Sequence, residues 1–421
     1  MNHTLSKELL SFLDASPSCF HAVKSLSDRL LAAGFTPLAE NQRWQIAPGG
    51  KYFVTRNGSA LIAFTIPTDG IRSWRITASH SDSPCLKIKE NPEIVTENHY
   101  VQLNVERYGG LITSSWLDRP LSLAGRIIVK EDGRLVNKLV NIDRDLLMIP
   151  NVAPHIDREV NKREYNIQKD MLPIYGDISA KGTFLKTVAE AAGVGENDIL
   201  GHDLYIYVRQ KGAVWGASGE YIASARLDDL QCAFASFKGF LAGQKQEHAA
   251  VYCLFDNEEV GSLTRQGAAS TFLKDSLERI CEGLSMSRED YLISLADSFM
   301  ISADNAHAVH PAHLEKSDPV NRPYINEGIV IKYTAEQTYC SDGISGAMFK
   351  DLCRQAGVPY QIFTNRSDRR GGSTLGNISG AQVAVSTVDI GLPQLAMHAP
   401  YEIAGVKDTS YLAKAAEVFF K

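Results

Sequence analysis

An α/β sandwich is the fold class predicted by this 421-residue sequence. Short apolar runs of strand length alternate with longer stretches whose apolar residues recur at helical spacing. Histidines and carboxylates stand where those runs end, and in sandwiches of this kind ligands gather outside the carboxyl ends of the strands. The length exceeds a usual single domain, so two domains and a large core are expected.

Taken in order, Leu5, Leu9, Leu10 and Leu13 recur at helical spacing. A second helix, which Ser18 is placed to cap, carries Phe20, Val23, Leu26, Leu30 and Leu31 on one face. Strands are expected over 52–56, 60–66 and 73–79, the third running directly into His80. From about residue 90 to 223 the character shifts to short strand-like runs at 100–105, 127–129 and 204–208, separated by charged and glycine-containing turns. That stretch reads as an insertion between two parts of one domain, 1–89 and 224–421. Beyond it come a helix over 230–241, a strand over 250–255, a helix over 271–281, strands over 298–303 and 329–333, and helices over 344–355 and 409–420.

Composition removes several classes of function. A net charge of −6 leaves no basic footprint for nucleic acid. No apolar stretch approaches the ~20 residues of a membrane span, and residues 1–13 read as a polar amphipathic segment rather than a signal peptide. A cytoplasmic protein is expected. Seven cysteines (Cys19, Cys85, Cys232, Cys253, Cys281, Cys340 and Cys353) stand singly without a C-x-x-C pair, which points to reduced thiols packed as small hydrophobes.

Five clusters carry the candidate chemistry: His80-Ser81-Asp82, Asp228-Asp229, Glu258-Glu259, Asp304 and His398. Gathered in space, they would offer nitrogen and oxygen ligands for two divalent metals and leave one carboxylate as a base. In the first, a histidine two residues before an aspartate can bind metal through one ring nitrogen while the carboxylate orients the ring. In Asp228-Asp229, which precedes the helix from Leu230, one carboxylate can cap the helix while the other bridges metals, and position does not say which. Glu258-Glu259 ends an apolar run, where two carboxylates are costly unless neutralised or solvated. One as ligand and one as base is the economical account, and Gly261 permits a sharp turn. Asp304 precedes His307, His310 and His313, but Pro311 argues against one helix presenting all three, and His310 is read as a group supporting the ligands. Arg369-Arg370-Gly371-Gly372-Ser373-Thr374 reads as an anion- or substrate-contacting loop.

The segments ASHSDSPCLKIK, SARLDDLQCAF, FDNEEVGS, SADNAHAVHP, GGSTLGNISG and LPQLAMHAPYE occur in that order. Together they resemble the M18 metallopeptidases, the aspartyl aminopeptidase and vacuolar aminopeptidase I family, from about residue 5 to the C-terminus. The resemblance implies a three-layer α/β sandwich zinc-peptidase domain with a mixed sheet, interrupted over 90–223 by a β-rich dimerisation domain. It implies an aminopeptidase with two divalent ions per subunit, zinc foremost and cobalt or manganese acceptable. His80, Asp228 and Asp304 would hold one ion; Asp228, Glu259 and His398 would hold the other, with Asp228 bridging. Glu258 would be the general base and Asp82 the orienter of His80. Gly372 and Ser373 would contact the peptide substrate. The family forms dimers that assemble into dodecamers, and His155, in IPNVAPHIDR, matches a histidine that reaches a neighbour's active site. Where acidic-selective members have a lysine, this chain has Glu336, so acidic and neutral N-terminal residues both stay open as substrates. The competing readings are a two-metal carboxypeptidase or deacylase and a non-catalytic assembly protein of the same fold.

Overall fold

The computed structural model describes residues 4–243 and 248–421; the first three residues of the expected N-terminal amphipathic segment lie outside that range. A nine-stranded mixed sheet runs in the order Thr36–Leu38, Lys51–Arg56, Ala60–Thr65, Ala249–Phe255, Trp74–His80, Phe299–Ala303, Ser386–Gly391, Ile329–Tyr333 and Tyr360–Thr364. Strand alternation sends side chains to both faces. Leu61, Ala63, Tyr252, Leu254, Ile301 and Val388 pack under the helices Thr4–Asp14, Cys19–Ala32, Leu227–Ala242, Gly343–Ala356 and Asp408–Phe419. Ile62, Phe64, Ile76, Val251, Cys253 and Met300 face the other layer, which includes Phe272–Gly283 and Arg288–Ala296. The result is the expected three-layer α/β sandwich with a mixed sheet. Burial of both faces explains why the central strands read as continuous apolar runs rather than alternating ones.

The three neighbouring strands at the middle are parallel, and their register sets the site. Phe255 lies opposite His80, and Ser302 lies opposite Ala78. The residues that follow these strands, 81–82, 256–259 and 304, therefore emerge along one edge of the sheet.

A second, six-stranded antiparallel sheet follows the order Arg134–Asn141, Leu121–Glu131, Ile199–Val208, Cys85–Thr96, Tyr100–Tyr108 and Ile174–Asp177. It has its own core, with Leu86, Val105, Leu123, Ile127, Phe184 and Ile206 buried together. The division expected at 89/90 runs inside the strand Cys85–Thr96. Farther along, Tyr221–Ser224 pairs with Glu402–Gly405 in a third sheet of five short strands. That sheet ties the chain leaving the six-stranded sheet to the segment carrying His398. No helix among the described residues is long and apolar enough to cross a membrane.

Several elements were not expected from sequence. The helix Arg288–Ala296 is amphipathic only weakly but is closed by a reciprocal cap between Ser287 and Asp290. Ser386–Gly391 is a central strand despite carrying Asp389, which is wholly buried.

Candidate metal centre

The two histidines meet on one aspartate. His80 Nε2 lies 3.5 Å from Asp228 Oδ1 and 3.7 Å from Asp304 Oδ1. His398 Nε2 lies 3.4 Å from Asp228 Oδ2 and 3.5 Å from Glu259 Oε2. Ligand atoms of His80, Asp228 and Asp304 all fall within 4.8 Å of one another, as do those of Asp228, Glu259 and His398, and those of His80, Glu258 and Glu259. Asp228 Oδ1 and Glu259 Oε1 are buried and accept no hydrogen bond. A buried carboxylate oxygen left so is costly unless a cation meets it. An imidazole and carboxylate donor set of this kind suits zinc and its neighbours, so the residues present fit divalent ions.

Both rings are oriented through their far nitrogens. His80 Nδ1 is 3.1 Å from the carbonyl oxygen of Asp82 and 3.3 Å from its carboxylate. His398 Nδ1 is 2.8 Å from the carbonyl oxygen of Gly110. With the proton assigned to Nδ1 in each, Nε2 is left free to bind metal.

Asp82 does more than orient His80. Its Oδ1 accepts the Glu258 N–H at 3.1 Å, and its Oδ2 accepts the Glu259 N–H at 3.1 Å and the Tyr108 hydroxyl at 2.7 Å. One carboxylate thus fixes the ring and the turn carrying both glutamates. Gly261, at φ 99°, closes that turn in a conformation that disfavours residues with a Cβ.

Neither member of Asp228-Asp229 caps the following helix. Both have non-helical backbone, the peptide between them is cis, and regular helix begins at Leu230. Asp228 faces the histidines, while Asp229 Oδ2 accepts the His80 N–H at 3.1 Å. The capping role left open by the sequence gives way to anchoring the end of a neighbouring strand.

The charges interact strongly. Burial works to lower the His80 pKa, but Asp228, Asp304 and Asp82 hold it well above its ordinary value. Burial works to raise Asp228, but His398 and His80 hold it far below the usual carboxylate range. Burial pushes the Glu258 carboxyl up to about 8, opposed by His80 and reinforced by Asp304, Asp82 and Asp228. Strongly perturbed carboxylates in one pocket mark a functional site.

A cavity of about 140 Å³ opens onto this cluster and is lined by Asp228, Glu258, Glu259, Asp304, Lys332 and His398 among others. Gly372 and Ser373 are on its wall, as is His307. His155 is exposed and lies outside that cavity. His310 does not support the ligands: it is exposed, its Nδ1 accepts the Ala312 N–H across Pro311, and its ring meets His313 at 5.0 Å. Arg369 and Arg370 instead line a larger neighbouring groove with Glu336, which lies 3.7 Å from Arg370 Nε.

Sequence reasoning missed Glu402 and Lys332. Glu402 is buried and accepts the N–H groups of Asp228 and His398 at 3.0 and 2.9 Å. Lys332 is buried with Nζ 3.5 Å from Asp304 Oδ2. A lone lysine inside the apolar run 329–333 was the available signal for the second; nothing local marks the first.

The model of the aminopeptidase I zinc metalloproteases (M18) matches residues 12–420. A protein named probable M18 family aminopeptidase 2 from Clostridium acetobutylicum is 46% identical over 424 residues, covering 99% of this chain and 98% of that relative. A solved complex of Ape4 and Nbr1 superposes with TM-score 0.95 at 35% identity, over 99% of this chain and 85% of the other. The S. cerevisiae mApe1 dodecamer matches with TM-score 0.87 at 27% identity, over 99% and 96%. Carboxypeptidase, deacylase and non-catalytic readings give way to this agreement: the chain belongs to the M18 family of zinc metalloproteases and is an aminopeptidase.

Proposed function

We propose that this aminopeptidase works at a centre of two divalent ions, zinc foremost, with cobalt and manganese also matched to the donors. His80, Asp228 and Asp304 hold one ion; Asp228, Glu259 and His398 hold the other. The observation that carries this reading is that the two histidine Nε2 atoms approach opposite oxygens of Asp228, at 3.5 and 3.4 Å. When bound, such ions polarise the scissile carbonyl and acidify a water.

Glu258 binds neither ion in this reading and is the general base. Its carboxylate takes a proton from the attacking water and returns it to the amine nitrogen that leaves. Asp82 keeps His80 and the Glu258-Glu259 turn in register, and Gly372 and Ser373 contact the peptide from the cavity wall. The six-stranded sheet, which begins at Cys85 and continues through the inserted segment 90–223, serves as the dimerisation unit. Dimers build a dodecamer, the form named for yeast mApe1. His155, exposed on that segment, completes the centre of a neighbouring subunit. Seven unpaired cysteines suit a reducing, cytoplasmic setting.

The test is a panel of chromogenic aminoacyl substrates, from Asp and Glu to Leu and Lys, with N-acetylated controls, after chelation and after restoring zinc, cobalt or manganese. Release from free-amine substrates alone, lost on chelation and restored by metal, supports the reading. Cleavage of acetylated substrates, or activity that survives chelation, overturns it.

A further inference from the structure

Three consecutive residues of the six-stranded sheet's margin touch the metal centre from outside. Tyr108 ends the strand Tyr100–Tyr108, and its hydroxyl donates to Asp82 Oδ2 at 2.7 Å while accepting from Asn257 Nδ2 at 2.8 Å. Gly109 follows at φ 72°, and a Cβ there would stand 3.1 Å from Glu259 Cβ. The Gly110 carbonyl oxygen then receives His398 Nδ1 at 2.8 Å, and the Ile112 N–H donates to the His398 carbonyl oxygen at 3.0 Å.

We propose that Tyr108 is a positioning residue for the metal centre, acting through Asp82, and that the Tyr108–Gly110 turn makes ion binding depend on the inserted sheet. The proposal rests on the two-ion reading above. The Asp82 carboxylate faces His80, Glu258 and Glu259 at once, so whatever fixes its rotation fixes a ligand ring, the base and a second ligand together. The tyrosine hydroxyl is its shortest contact, a bond to an ionised acceptor and so of the stronger kind. Asn257 holds that hydroxyl from the other side, its own carbonyl oxygen occupied by Thr264 Oγ1 and Gln266 Nε2, each at 2.8 Å. On the opposite flank, the Gly110 carbonyl fixes the proton of His398 on Nδ1. Gly109, at φ 72°, lets the backbone approach where a Cβ would press on Glu259. Both ligand histidines, 80 and 398, are thereby oriented by partners that one short turn of the inserted segment either supplies or braces.

Tyr108→Phe removes one hydroxyl and keeps the ring that meets Tyr205 edge-on at 5.7 Å. Zinc affinity is read by competition with a chromophoric chelator, and cobalt geometry by visible absorption, alongside kcat and KM. Affinity should fall about 10–100-fold, as for other partners that orient metal ligands. The cobalt spectrum should shift, and kcat should fall with KM little changed. Tyr205→Phe, at the same depth but outside this hydrogen-bond chain, should match the parent in every readout. A folded Tyr108→Phe protein with the parent's zinc affinity and cobalt spectrum overturns the proposal. If Tyr108→Phe does not fold, Asn257→Gly decides: it keeps the left-handed backbone and removes the hydroxyl's donor, and an unchanged zinc affinity overturns the proposal. Failure of the parent itself to bind zinc would instead overturn the two-ion reading.

Discussion

Glu402 accepts the backbone N–H of Asp228 at 3.0 Å, so the residue that faces both histidines is held from behind by a buried carboxylate. The other Glu402 oxygen accepts the His398 N–H at 2.9 Å. The segments carrying Asp228 and His398 thus share one acceptor, which the Asp228 N–H reaches across 174 positions. In Glu402→Gln one of these N–H groups must face an amide NH2 instead of an oxygen. The expected result is a loss of about 1–3 kcal/mol in stability and about 10–100-fold weaker zinc binding, measured by denaturant titration and chelator competition. A variant equal to the parent in both would remove the anchoring role.

Glu258→Gln tests the base. The substitution keeps the shape and removes the proton acceptor, so metal content by elemental analysis should be unchanged while kcat falls by about 10²–10⁴-fold. Retained activity in a metal-loaded variant would assign the proton transfer to another group.

His155 acts across a subunit boundary in the proposed assembly. His155→Ala and Glu258→Gln homo-oligomers should each be weak. Dissociated, mixed and reassembled, they should regain activity, because some centres then combine an intact Glu258 with a neighbour's intact His155. Mixed assemblies no more active than the separate variants would place His155 outside the reaction.

The metal-free protein should lose stability as pH rises from about 4.5 to 8. Burial pushes Glu258 and Glu402 up to about 8 and Asp256 and Asp408 up to about 7. The unfolded chain releases these protons near pH 4 to 4.5, whereas the folded chain retains them until pH passes the raised values. Stability attached to the protonated groups is therefore complete below the unfolded pKa and lost through the folded one. Melting temperatures of chelated protein should fall across that window, and zinc should flatten the profile by neutralising the carboxylates at the centre. A rising profile for the chelated protein would contradict the sign.

The layered core was legible because its apolar strands and helices are long enough to show their periods. The run 250–255 and the helix from Leu230 fall where the pattern puts them. The candidate donors were legible because each stands at or near the end of such a run, as His80 does at the end of Trp74–His80. What could not be read is whatever depends on chain approach at long range. The Gly110 carbonyl meets His398 across 288 positions, through a backbone atom that carries no residue-specific signal. Glu402 looks like an ordinary loop acid until the fold buries it. Asp389 hides a strand because a charged residue breaks the apolar run, yet its carboxylate is satisfied by the Cys340 N–H at 2.6 Å and the Thr374 hydroxyl at 3.1 Å.

The central sheet takes the strands Trp74–His80 and Ala249–Phe255 from either side of the six-stranded sheet, and His398 comes later still. During synthesis a ribosome that has not yet passed residue 398 holds a chain with one of the two histidines that meet on Asp228 and an unfinished third sheet. The order of translation leaves the cluster around Asp228 incomplete until residue 398 has been added.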